Sequence, residues 1–263
     1  MHLIWLYERL RNIKMKKKIL LGYGLIVFLA ALPFQMNHGQ VTVDLESGYV
    51  TTGYNDIRSP GDLGTMFSLN EELEAKGKVY YRLRLNYNFN DRNTVSVLYA
   101  PLTVSSNGSI PRDVLFEDAL FTSGSPIDAS YKFNSYRITY RYKLVQKEKF
   151  EFGLGFTAKI RDAKVALESG NIYAEKVNVG FVPIINFRLA WYPEEKIGLL
   201  LEGDALAAPQ GRAEDILAAV TYKVSDKMGI KAGYRILEGG ADNDEVYTFS
   251  LFHYAAAGLF LTF

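Results

Sequence analysis

Residues 78–89 read KVYYRLRLNYNF, and their side chains alternate strictly by type. Val79, Tyr81, Leu83, Leu85, Tyr87 and Phe89 fall on one face of an extended chain, and Tyr80, Arg82, Arg84, Asn86 and Asn88 on the other. A strand sends successive side chains to opposite faces, so this segment is a ribbon with one apolar and one charged side. The pattern recurs in SYRITYRYKL, FEFGLGFTAKIR and KVNVGFVPIINFRLAW. Ten such segments are expected, at about 41–54, 78–90, 93–104, 130–145, 150–168, 173–192, 197–207, 213–225, 228–238 and 245–263. No long stretch after residue 40 has a helical period, and none has 18 consecutive apolar residues.

Two architectures accept this pattern. A soluble barrel or sandwich buries the apolar faces inward. A transmembrane antiparallel up-and-down β-barrel of about ten strands turns them outward to lipid. The connections favour the second. NDR (90–92), QKEK (146–149), PEEK (193–196) and SDK (225–227) are short polar turns, whereas 55–77 and 105–129 are long and rich in Gly, Ser, Pro and acids. Aromatics agree independently. Outward Phe89, Tyr142, Phe150, Trp191, Tyr222 and Phe263 each lie beside a short turn or the chain end. In a barrel they form one ring at one depth, the position of a membrane-interface girdle.

The last strand carries a further signal. Leu259, Leu261 and Phe263 alternate outward and finish on an aromatic. This resembles the C-terminal strand of small bacterial outer-membrane β-barrel proteins, and GRAEDI…AGYRILEGGADNDEVY resembles an uncharacterised group among them. The resemblance implies recognition of the last strand by the barrel-insertion machinery and residence in the outer membrane, with outer-membrane lipids and lipopolysaccharide as partners. It implies no activity.

Export fits the other end of the chain. Residues 1–39 form the expected leader and residues 40–263 the barrel. Three lysines after Met15 precede an apolar run from Ile19 to Ala31, the order of a cleaved signal peptide, and the run is too short for a transmembrane helix. The leader holds six Lys or Arg against one acid, so the formal charge of +1 conceals a barrel at −4. With no cysteine, neither a disulfide framework nor lipid attachment through cysteine is available.

If the apolar faces meet lipid, the charged alternates line the lumen. The ion-pair candidates are Asp44, Glu46, Arg82, Arg84, Arg137, Arg141, Arg188, Glu202 and Asp204, joined by Lys143, Lys159, Arg161, Lys231, Arg235 and Glu151. Asp44 and Glu46 should neighbour Arg82 and Arg84, and Glu202 and Asp204 should neighbour Arg188. An enclosed charge is stable only when paired, so a structural or interaction barrel with an ion-paired lumen is expected. A basic excess would instead make a narrow anion-preferring channel.

Catalysis has few candidates. His2 and His38 lie in the leader, which leaves His253. FHYAAAG resembles the His-x-Ser motif of lipid A deacylases, but Ala255 stands where the nucleophile belongs, and His253 shares the outward face of Leu251 and Leu259. A carboxylate site at Glu202 and Asp204, in an envelope lipid-modifying enzyme, is the remaining alternative; no catalytic residue is assigned. Asp242, Asp244 and Glu245 are weak metal candidates in an acidic loop with no EF-hand spacing. No cofactor is expected, and no nucleic acid, because the basic residues are enclosed. Within the loop 105–129, VLFEDALF is apolar enough for an extra hairpin, one that could fold inward and close the pore.

Overall fold

The computed structural model describes residues 39–209 and 211–263. The leader and its signal-peptide reading, with His2 and His38, lie outside the described residues. Strand β1 (Gln40–Arg58) is followed by two short pieces, β2 (Phe67–Ser68) and β3 (Glu74–Ala75). Next come β4 (Lys78–Asn88), β5 (Asn93–Ala100) and β6 (Thr103–Ser109), then the small hairpin β7 (Val114–Phe116) and β8 (Ala119–Phe121). Three long strands follow, β9 (Pro126–Lys147), β10 (Phe150–Ser169) and β11 (Ile172–Trp191). The chain ends with β12 (Ile197–Ala208), β13 (Gly211–Lys223), β14 (Met228–Asp242) and β15 (Tyr247–Thr262).

Ten of these strands close a ring in the order β1, β4, β5, β9, β10, β11, β12, β13, β14, β15, every pair antiparallel. The closing seam joins β15 to β1 from Thr42↔Thr262 to Arg58↔Tyr247, and Phe263 donates its N–H to the Val41 carbonyl at 2.8 Å. Closure pairs each stave with both neighbours, as backbone polar groups in hydrocarbon require, although β11 runs on past its last β12 pair, Ile185↔Ala205.

The ten staves match the ten alternating segments, and their departures have local causes. The expected strand 93–104 stops at Ala100 because Pro101 has no N–H to give the ladder. Leu102 instead bonds the Asn134 side chain at 3.2 Å, and the strand resumes as β6 beside β9. β1 runs four residues past its expected end through a bulge between Thr52 and Tyr54. The bulge inverts the alternation, so that Asn55 and Ile57 point inward after a run of inward even-numbered residues. That inversion hid residues 55–58 from a strict period of two.

Apolar alternates face outward. Phe156, Phe181 and Val179 are 72, 69 and 67% exposed, while Arg82, Arg137, Glu46 and Asp204 are buried. The soluble arrangement is therefore inverted: grease outside, charge inside. One end of the barrel, the turn end, carries the four short turns. Phe89, Tyr142, Trp191, Tyr222 and Phe263 stand exposed there, with Phe150 half-buried and in register with Trp191.

At the opposite, loop end, the segment VLFEDALF forms the β7–β8 hairpin and folds inward. Val114, Phe116 and Phe121 are wholly buried, and Phe116 meets Phe67 edge to face at 5.9 Å. The hairpin is fastened to the first loop by Leu115 N–H to Thr65 Oγ1 (3.0 Å), Thr65 N–H to the Leu115 carbonyl (2.9 Å) and Glu117 N–H to the Ser59 carbonyl (3.0 Å). Glu117 turns the chain in the left-handed region, at φ 53°. It is held there by Ser59 Oγ and by Lys176 Nζ (3.4 Å). The outer mouth is thus corked by a small apolar core of Ile57, Phe67, Leu69, Leu73, Ile110 and the hairpin.

If the outward belt lies in hydrocarbon, Phe156→Arg lowers the unfolding free energy in lipid vesicles by about 2–4 kcal/mol, whereas Glu168→Arg near the β10 tip costs about 0–1 kcal/mol. Denaturant titration of both variants reads the difference.

Candidate functional site

The lumen is divided by a layer of buried charges. Asp215, on β13, receives three arginines: Arg82 Nη2 at 2.7 Å, Arg137 Nη2 at 2.6 Å and Arg235 Nη1 at 2.5 Å. Glu46 is held bidentately by Arg235 Nε and Nη2, both at 2.8 Å, and also accepts the Tyr80 hydroxyl at 3.2 Å. Asp204 accepts Arg137 Nη1 at 2.6 Å, Thr157 Oγ1 at 2.6 Å and Asn186 Nδ2 at 2.8 Å. Lys231 adds contacts to Asp44 at 2.8 Å and Glu46 at 3.2 Å. Four cations therefore meet four carboxylates, and the layer is neutral.

The staves explain why these side chains meet. In the ring, β4 and β9 each stand four places from β13, so the Arg82–Asp215 and Arg137–Asp215 pairs span the lumen. Asp44 and Glu46 lie opposite Arg84 and Arg82 in the β1–β4 register, as the alternation implied. Even so, the two acids bond mainly to Lys231 and Arg235 of β14, where long side chains reach past the cross-strand neighbour. Arg188 faces Glu202 in register, at 3.6 Å, and also meets Glu151 at 3.3 Å. Asp204 does not pair with Arg188; it lies opposite Asn186 and is held by Arg137. Asp215 was not among the expected residues. Its signal is the parity of β13: counting back from outward Tyr222, odd-numbered Thr221, Ala219, Leu217 and Asp215 all turn inward.

On the turn side of this layer lies a vestibule of about 390 Å³ whose wall holds nine basic and five acidic side chains. Among the described residues, Arg84 and Arg141 have no carboxylate within 4.0 Å; Arg141 reaches only the Asn186 side-chain oxygen, at 3.4 Å. On the loop side lies a second cavity of about 190 Å³, bounded by the cork and by β9–β15.

The other sequence candidates lie apart from this arrangement. His253 faces outward and bonds the Tyr234 hydroxyl, their rings stacked at 6.0 Å. Asp242, the last residue of β14, and Asp244 and Glu245 after it stand exposed, and among the described residues no three His, Cys, Asp or Glu side chains gather as metal ligands.

No family model and no curated protein sequence matches the chain. Solved structures do. The outer membrane protease OmpT from Escherichia coli aligns over 89% of this chain and 99% of its own, with a TM-score of 0.50 at 10% identity. The fold is that of an outer-membrane β-barrel. Ail, the attachment invasion locus protein of Yersinia pestis, solved with the heparin analogue sucrose octasulfate, aligns over 86% of this chain and 99% of its own (TM-score 0.39, 13% identity). An outer membrane channel from Pseudomonas putida F1 aligns over 89% and 100% (TM-score 0.41, 9% identity). At such identities the likeness concerns architecture only.

Two outcomes test the charged layer and the cork. Removing one partner of a buried ion pair strands the others, so Asp215→Ala should lower the unfolding free energy by about 3–5 kcal/mol. Outside the wall, Arg112 fastens the first loop to the segment before β7 by bonding Glu72 and the Met66 carbonyl (2.7 Å). The Arg112 hydrogen bond, with help from the Ser68 N–H, holds the Glu72 carboxyl below its ordinary value. A depressed carboxylate stabilises the fold above its unfolded pKa of about 4.3, and that contribution fades as pH falls through the lower folded value. Hydrogen-exchange protection of the Leu115 amide, corrected for intrinsic rates, should therefore fall on acidification below about pH 4. Arg112→Met should remove that dependence.

Proposed function

We propose that the chain is a non-conducting outer-membrane barrel of structural or interaction type, exported through the periplasm. The observation that carries this reading is the convergence of Arg82 and Arg137, from one side of the lumen, on Asp215 of the other. An ion crossing the barrel would have to break bonds among charges buried away from water, which is costly unless a partner replaces each one. The corked mouth supports the same reading. Outer-membrane lipids and lipopolysaccharide are the proposed partners of the outward belt, and the insertion machinery that of the last strand. The proposed role is not enzymatic: Glu202 and Asp204 are each engaged by arginine, and His253 faces away from both.

A narrow anion-preferring path is the second reading, favoured by the uncompensated Arg84 and Arg141 of the vestibule. Rings of such cations select anions where a path continues beyond them. Single-channel recording of the refolded full chain in planar bilayers separates the two. Silence from protein shown to be inserted is the expected result. Steady anion-preferring steps would replace the first reading with the second.

A further inference from the structure

The loop-side cavity has an unusual wall. Ile57, Phe116, Phe133 and Leu206 make part of it apolar, and five cations line the rest. Three are neutralised locally: Lys164 by Glu175 at 3.0 Å, Lys176 by Glu117 at 3.4 Å and Arg212 by Glu238 at 2.7 Å. Lys159 and Arg161, two residues apart on the inward face of β10, are not. Lys159 is 2% exposed, and its Nζ stands 4.7 Å from the centre of the Phe133 ring. Among the described residues that ammonium has neither a hydrogen-bond acceptor nor a carboxylate within 4.0 Å. Arg161 gives Nη2 to Asn178 at 2.6 Å and leaves its buried Nε without an acceptor. Asp204 and Asp215, the acids that act on Lys159 from longer range, are already bonded to Arg137. A buried ammonium without a counter-charge is unstable, and the cavity is where an anion would supply one.

The wall beside this cavity is incomplete. β11 pairs with β10 along its whole length but with β12 only from Ile185↔Ala205 to Trp191↔Leu199. Residues 182–184 therefore run beside Leu206–Ala208 without pairing, and 172–181 extend past the β12–β13 turn. Pro183, unable to donate a hydrogen bond, stands near the point where pairing stops, the kind of place where a sheet tolerates proline. Val182 and Leu206, which both line the cavity, flank the gap from either strand. Outward Val177, Val179 and Phe181 are exposed farther along the same strand, so its outer face beside the gap is apolar.

We propose that this cavity is the headgroup site of a single-chain anionic amphiphile. Its carboxylate bridges Lys159 and Arg161, and its acyl chain lies against Phe133, Phe116 and Leu206 and leaves the barrel between β11 and β12. The cavity exceeds the roughly 150 Å³ that accommodates a benzene ring in an engineered protein core, so it holds the head and first carbons while the rest of the chain lies in the gap. The inference rests on the membrane-barrel reading and is independent of whether the lumen conducts.

The probe is cis-parinarate, a fluorescent fatty acid, titrated into the full chain in phosphatidylcholine nanodiscs, with empty nanodiscs subtracted. Saturable binding is expected. The uncharged parinarate methyl ester and the chainless anion benzoate should each bind at least about tenfold more weakly, as loss of a charge-assisted hydrogen bond or of chain burial implies. Lys159→Met should weaken parinarate at least about tenfold with the β-sheet circular dichroism intact, and Lys143→Met at the turn end should leave it unchanged. Ester binding as tight as the acid would overturn the headgroup assignment, and so would unaltered binding by folded Lys159→Met. Benzoate binding as tight as parinarate would overturn the acyl chain. The ester and benzoate comparisons use wild-type protein, so they decide even if the variant does not fold.

Discussion

A charge enclosed by a wall that faces hydrocarbon must find its opposite within reach, because neither side offers bulk water. Asp215 satisfies three arginines at once, and through Arg235 and Arg137 it is tied to Glu46 and Asp204. The remaining architecture is arranged around that requirement. Alternation puts the acids and bases on the inner face, closure brings distant staves opposite one another, and small or hydroxylic neighbours such as Thr157 and Asn186 take up the remaining lone pairs. Replacement of the same layer by aliphatic side chains would also fill the lumen, so net stability alone does not explain its composition.

The two halves of the lumen then acquire different characters. On the turn side the vestibule is polar, and its uncompensated cations stand in solvent reach. On the loop side the wall is partly apolar, the mouth is shut by the β7–β8 hairpin, and the opening left by β11 is lateral. Only one of these spaces is suited to an apolar guest.

Much of this was legible in the residues, for a simple reason. A period of two cannot shift without exposing charge to lipid, so staves such as 78–88 and 150–169 declare themselves. What escaped was non-local or phase-breaking. The bulge near Gly53 reversed the parity of β1, and Pro101 divided one stave into β5 and β6. Asp215 sits in GRAEDILAAV, where Glu214 and Asp215 are adjacent and only parity tells which of them points inward. Cross-lumen partners were beyond reach. Strand order identifies neighbours, placing Asp44 and Glu46 beside Arg82 and Arg84, while the bonds to Lys231 and Arg235 depend on side-chain length and barrel radius. The inward fold of VLFEDALF likewise depends on an apolar socket that exists only when the first loop is in place.

The Arg82–Asp215 bond joins residues 133 positions apart on staves that never touch. The β13–β14 hairpin gives Asp215 one partner, Arg235, but its bonds to Arg82 and Arg137 form only after the ring has closed around it. The charged layer therefore ties the register of one half of the barrel to that of the other, because a slipped stave would leave a buried charge without its cross-lumen partner.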